Sequence, residues 1–252
     1  MQRLVGVSGQ ERLCAARVCV IGIGGVGSWA AEALARSGVG SITLVDLDEV
    51  CLSNVNRQLP SLTETVGQTK VQVMKDRILG INPECNVLGR EQFFTASTAD
   101  EILGSNFDCI VDGIDAISNK ALLIAQARQR EIPMVTIGGA GGRSDPTAIR
   151  VEDLAFTHGD RLLRQVRKTL RTEYEFPRNP KKRFGVECVY SAEIPIYPQS
   201  DGTVCNKKEK GSDLRLNCES GYGTAAFITG TFGFIAAARA IQILLRAPQK
   251  DA

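Results

Sequence analysis

The chain has 252 residues, 43% of them hydrophobic and 23% charged, with a formal net charge of only +2. Length and apolar content allow a real core and exclude a disordered chain. The near-neutral balance means that any affinity for nucleic acid must come from local clustering rather than overall charge. Eight cysteines include no C-x-x-C pair, so the close-paired zinc site is not indicated. The first residues, MQRLVGVSGQERL, lack the apolar run of a secretory leader. A cytoplasmic protein with reduced thiols is therefore expected.

VCVIGI (18–23) is short, continuous and β-branched and reads as a buried strand. It runs into GIGGVG (22–27), a G-x-G-x-x-G loop, and then a helix over Ser28–Ser37 that ends near Gly38. Strands follow at 41–46, 86–93, 107–114 and 133–138, with helices predicted over 67–81 and 116–130. Such alternation predicts an α/β fold, a doubly wound and mostly parallel Rossmann-like sheet. After GGAGG (138–142) the pattern loosens: a strand and turn over 145–157, a helix over 160–174, an extended segment over 186–198 and a polar loop over 201–213. Residues 177–185 hold two prolines and a basic cluster, a composition that favours disorder. The uncharged run 221–238 is about as long as a short membrane span, but its recurring glycines and the following Arg239 favour a buried interface helix. No repeat or linker divides the chain. One domain is expected, with a nucleotide-binding core over 15–140 and an elaborated C-terminal half over 141–252.

Gly22, Gly24 and Gly27, with Gly25, permit a tight turn and close approach of backbone to phosphate, and the following helix offers its first amides to an anion. Asp46 ends the second strand at the usual place of a ribose-binding carboxylate. Up to here a dinucleotide and ATP are equally served. The stretch from 46 to 70 adds Asp48, Asn54, Arg57, Gln58 and Lys70. Two cations exceed what a dinucleotide needs but suit cleavage of a triphosphate. Asp115, at a strand end, is placed to hold magnesium against the phosphates. Each has a plainer alternative: a solvated Arg57 or Lys70, an Asp115 that only caps its helix.

GxGGxG, D-x-D, N-x-x-R-Q, G-Q-x-K and a strand-end Asp, in this order over 15–140, resemble the ubiquitin-activating-like (ThiF-type) adenylating superfamily. That resemblance implies a doubly wound homodimer that uses ATP to activate a carboxylate. Asp46 would bind ribose, Arg57 and Lys70 the phosphates and Asp115 the Mg2+. Asn54 and Gln58 would line the pocket, and Arg3 would reach the ATP site of the partner subunit. The strings 135–154, 185–193, 197–205 and 217–234 resemble the tRNA threonylcarbamoyladenosine dehydratases. They imply a tRNA substrate and ATP-dependent cyclisation of its modified base.

The basic stretch 161–185 carries Arg161, Arg164, Arg167, Lys168, Arg171, Arg178, Lys181, Lys182 and Arg183 against Glu173 and Glu175. It reads as a tRNA-binding surface, its alternative being a solvated helix and loop. Phe184 and Tyr222 are candidates to stack on the base. Cys19 and Cys109 are expected to be buried, whereas Cys188, Cys205 and Cys218 fall in a polar region and are candidate reactive thiols. Cys218 is either a thiol facing a cysteine desulfurase or sulfur-acceptor partner, or a structural residue. Two other functions stay open: activation of a sulfur-carrier or ubiquitin-like protein, and a sulfur-transfer role. His158 is assigned no part.

Overall fold

The computed structural model describes residues 1–207 and 223–246. A seven-stranded sheet has the order β3-β2-β1-β4-β5-β7-β6. Its strands are β1 (Arg17–Ile21), β2 (Ser41–Val45), β3 (Asn86–Arg90), β4 (Cys109–Asp112), β5 (Met134–Ile137), β6 (Ile149–Asp153) and β7 (Glu187–Ser191). All neighbours are parallel except β6 and β7. This is the α/β Rossmann-like architecture expected from the alternation. The later half adds β7 and β6 to the edge that β5 would otherwise leave open, and a two-stranded ribbon, β8 (Tyr197–Pro198) with β9 (Val204–Cys205).

Seven α-helices flank the sheet among the described residues: α1 (Gln2–Ala15), α2 (Gly27–Arg36), α3 (Lys70–Ile81), α4 (Ala99–Leu103), α5 (Ile117–Gln129), α6 (Arg161–Glu173) and α7 (Ala226–Arg246). Alternation of side chains along a strand divides the core. Val18 and Val20 of β1 face α2, α3 and α7, while Cys19 and Ile21 face α5 and α6. Helix α7 explains the uncharged run. It is long and apolar enough to cross a membrane by composition, yet half of it is buried in the fold. At Gly233 an added Cβ would lie 2.6 Å from the Cβ of Trp29, so this glycine lets α7 approach α2 closely.

Three expectations are corrected. Residues 177–185 do not run free, because Asp153 accepts hydrogen bonds from the amides of Phe184 and Gly185. Phe184 is buried edge-on to Phe176 with the Arg171 guanidinium over its ring, so it cannot stack on a base. Cys188 lies in the interior of β7 and is fully buried, which raises its thiol pKa and removes it as a reactive group. Cys19 and Cys109 are buried as expected and Cys205 is exposed. Cys218, Tyr222 and residues 208–213 lie outside the described residues. Helices α1 and α4 have no counterpart in the sequence reading. Helix α1 contains Gly6 at φ 78°, a kink no helical periodicity anticipates.

Phe232 of α7 is fully buried between helix and sheet. Phe232→Ala should cost about 3–5 kcal/mol, read as a lower denaturant midpoint in equilibrium unfolding.

Candidate active site

The strand order reverses between β1 and β4, which opens a crevice at the carboxyl ends of the strands. Gly22 follows β1 at φ +86°, and an added Cβ there would sit 2.8 Å from the Gly113 carbonyl. At Gly27 an added Cβ would fall 1.9 Å from the Gly22 carbonyl oxygen, so α2 starts hard against the strand end. Gly24 differs, because the nearest atom to its added Cβ is Gln58 Nε2 at 3.7 Å. Its open side fits a ligand rather than protein. Gly25 packs against Thr229 of α7. Helix α2 has no side-chain cap and no acidic residue in its first turn. The Ser28 amide donates to the Gly24 carbonyl at 3.2 Å, and the positive dipole end of the helix suits an anion.

Asp46 is nearly buried beyond β2. Its Oδ2 accepts the Ile23 amide at 2.6 Å and its Oδ1 the Asp48 amide at 2.8 Å. Burial raises its pKa, against the Lys70 charge and these two hydrogen bonds. Asp46 thus braces the glycine loop, and each oxygen keeps a second acceptor position. Lys70 opens α3, and its Nζ lies 2.7 Å from Asp48 Oδ2, with the lysine buried and the aspartate half exposed. The cation sits at the positive end of its helix and is compensated by that aspartate.

Asn54 is buried and accepts the Cys51 amide, closing the turn that presents Arg57. The Arg57 carbonyl accepts from Trp29 Nε1 (3.2 Å) and Thr229 Oγ1 (2.8 Å). The backbone there is pinned between α2 and α7. Its guanidinium uses one nitrogen on Ser53 O and Asn56 Oδ1. Gln58 Oε1 is buried without a hydrogen-bond partner among the described residues. Asp115 is exposed two residues past Gly113 and has no hydrogen bond or ion pair among the described residues. It does not cap α5, whose first residue follows Ala116. Arg3 lies on the exposed first turn of α1. The glycines, Asp46, the Asp48–Lys70 pair and Asp115 thus leave the same end of the sheet.

The sequence reading missed a buried set beneath this crevice. Lys120 and Asp112 are both fully buried and paired at 2.9 Å, and Thr136 Oγ1 donates to Asp112 Oδ2 at 2.7 Å. A lysine flanked by Ile117, Ala121 and Ile124 at helical spacing was the available signal. Two further carboxylates hold the loop after β5. Asp160 accepts from Gly139 N and caps α6 at Leu163 N. Glu193 accepts from Ser144 and Asp145, and these bonds lower its pKa although its partial burial works the other way.

The basic stretch divides. Arg161, Arg164, Lys168, Arg178, Lys181 and Lys182 are exposed. Arg167 donates to Thr157, and its burial, with the Arg171 charge, lowers its pKa. Arg171 is turned inward to Phe184 and Pro177 O. Arg183 is exposed but 3.7 Å from Asp153. Arg167 and Arg171 are therefore partly buried and engaged within the fold, unlike the exposed cations of the stretch.

The ThiF family model matches residues 1–252. The chain belongs to the ThiF family. Among ThiF-family relatives, the tRNA threonylcarbamoyladenosine dehydratase of Escherichia coli is 46% identical over 96% of this chain and 91% of its own. That of Haemophilus influenzae is 44% identical over 97% and 91%. A crystal structure of the E. coli enzyme in complex with ATP superposes with a TM-score of 0.86 at 42% identity, covering 96% of this chain and 91% of that one.

The two kinds of glycine separate by experiment. Gly24→Ala should leave the unfolding midpoint unchanged and weaken ATP binding about tenfold, roughly 1.4 kcal/mol. Gly22→Ala, strained and clashing, should unfold the protein early. Calorimetric titration with ATP alongside thermal unfolding checks both.

Proposed function

We propose that this protein is an ATP-dependent dehydratase that cyclises threonylcarbamoyladenosine beside the anticodon of tRNA by activating its threonine carboxylate. The observation that carries the reading is likeness to the E. coli enzyme along both halves of the chain. The half that could have matched any nucleotide-binding relative is not the only one that matches. Activation of a carrier protein is the weaker alternative, and a sulfur-related role rests on Cys218 alone.

A carboxylate is a poor electrophile. Its oxygen attacks the γ-phosphorus of ATP and displaces ADP, giving an acyl phosphate, or attacks the α-phosphorus and displaces pyrophosphate, giving an acyl adenylate. A nitrogen of the same modification then attacks the carbonyl, closes a five-membered ring and expels the phosphorylated oxygen. The carboxylate oxygen thus leaves on inorganic phosphate or on AMP, and the attacking nitrogen gives up its proton, which together account for the water lost. Held in one pocket, the two groups react as an intramolecular pair.

In this reading Asp46 holds the ribose. The loop Gly22, Gly24, Gly25 and Gly27 and the first turn of α2 cradle the phosphates, while Asn54 and Gln58 line the pocket. Arg57 and Lys70 offset charge that builds on the phosphates. Among the described residues no group of three His, Cys, Asp or Glu could cage a metal. One free carboxylate beside a triphosphate fits Mg2+, which takes few protein ligands and shares phosphate oxygens. Asp115 would hold it, and the ion would neutralise phosphate charge. The chain acts as one domain in this reading, supported by β6 and β7 of the later half, which extend the sheet of the nucleotide half. A homodimer in which Arg3 serves the partner's site is part of the proposal, supported by exposed Leu4 and Val7 on α1 and Phe227 and Phe234 on α7. A tRNA substrate supports a cytoplasmic activity.

The deciding experiment is mass spectrometry of nucleosides from tRNA carrying threonylcarbamoyladenosine after incubation with protein, Mg2+ and ATP. ATP-dependent loss of one water mass is expected; ATP consumption only when a small carrier protein is added would shift the function to carrier activation. Arg57→Ala and Asp115→Ala should each lower turnover by about 10²-fold at unchanged melting temperature, and normal turnover in either removes that residue from the site. Reversing Arg164, Lys168, Lys181 and Lys182 to Glu should weaken tRNA binding. The slope of log K against log salt should flatten by about 0.7–0.9 per lost phosphate contact, whereas an unchanged slope places the tRNA elsewhere.

A further inference from the structure

We infer that Lys120, acting with Asp112 and Thr136, is a positioning residue that sets the loop carrying Asp115, an inference that rests on the reading of Asp115 as the magnesium ligand. The ammonium of Lys120 makes three contacts, all to one short turn: Asp112 Oδ2 at 2.9 Å, Asp112 O at 3.3 Å and Ile114 O at 2.9 Å. Its three donors are thereby used. Asp112 answers from inside the same turn. Its Oδ1 accepts the Ile114 amide at 3.0 Å and its Oδ2 accepts Thr136 Oγ1 at 2.7 Å. The chain from Asp112 to Ile114 is thus wrapped around a buried cation and tied to the neighbouring strand.

Asp115 is the next residue, and it is the first in the loop to be exposed. The turn is also the wall against which the glycine loop rests: an added Cβ at Gly113 would lie 2.7 Å from the Gly22 oxygen. A displaced turn moves the carboxylate relative to the phosphate cradle. A buried ion pair is a poor source of stability compared with apolar packing of the same volume. Here it spends its hydrogen bonds on one loop conformation rather than on joining distant elements, as a device for geometry would.

The test is calorimetric binding of ATP to the full-length protein across a Mg2+ titration. The double variant Asp112→Asn/Lys120→Met removes both charges at similar volume. It should raise the Mg2+ concentration needed for half-maximal enhancement of ATP binding by about tenfold or more, with ATP binding in EDTA little changed. Lys120→Arg, which keeps the charge, should recover part of the loss. An unchanged Mg2+ requirement in the folded double variant overturns the inference. Should that variant fail to fold, Thr136→Val, which removes only the hydroxyl, should show a smaller rise; no rise overturns the inference equally. Asp115→Asn is made in both backgrounds. If Asp115→Asn alone leaves the Mg2+ requirement unchanged, the magnesium reading itself has failed. If it raises the requirement and the two effects add fully, Asp115 keeps its role and Lys120 loses its own; loss of additivity supports positioning.

Discussion

Everything at the site depends on three backbone segments meeting with no side chain between them. Gly22, Gly27 and Gly113 bring the end of β1, the start of α2 and the end of β4 into contact at distances that exclude a Cβ. Because α2 begins directly on the strand end, its uncapped amides face the crevice instead of solvent at large. Because β4 ends against Gly22, whatever leaves β4 must emerge beside the phosphate cradle. Asp46 reinforces the arrangement from β2 by holding the amide of Ile23. One steric constraint therefore fixes an anion-binding helix terminus, a buried carboxylate and an exposed carboxylate relative to each other.

The cations are arranged by a different means. Arg57 comes from the connection between β2 and α3, and Lys70 from the first position of α3. Lys70 is held by Asp48, so its charge is balanced until a stronger anion arrives. Arg57 is fixed through its carbonyl by Trp29 and Thr229, which leaves part of its guanidinium free. The second clamp comes from α7, more than 170 residues later in the chain. Helix α7 therefore helps to hold the backbone that presents Arg57. Close packing transmits position without loss, and Gly233 supplies the closeness.

Legibility in the sequence followed locality. The parallel strands were readable because fully buried strands are continuous apolar runs, and the glycine loop because its constraints lie within six residues. Asp46, Arg57, Lys70 and Asp115 were readable as residue types at suitable spacing. The state of each was not: the pairing of Lys70 with Asp48 joins residues 22 apart. Lys120 was missed because a lysine in an amphipathic helix ordinarily faces water, and only the tertiary fold turns this one inward. The burial of Phe184 and the inward turn of Arg171 were not readable for the complementary reason, since charge counts along a helix do not say which side chains the loop after it will engage. Cys188 was misplaced because β7 pairs between β5 and β6, an insertion that no local pattern announces.

The same long-range contacts give the later half its place in the function. Helix α6 opens with Asp160, whose two oxygens are divided between the first turn of the helix and Gly139 of the loop after β5. Beyond that cap the first turn holds no acidic residue, while Arg161 and Arg164 lie at the positive end of the helix dipole. Cations in that position destabilise an isolated helix. The buried face, Leu163, Val166 and Leu170, offsets this cost through packing on the sheet. The arrangement becomes favourable on the outer face only when a polyanion approaches. The cap of this basic helix is also a strut of the loop after β5, so the position of the helix and that of the loop are coupled. Asp160 thus supports both the start of the basic helix and the loop after β5.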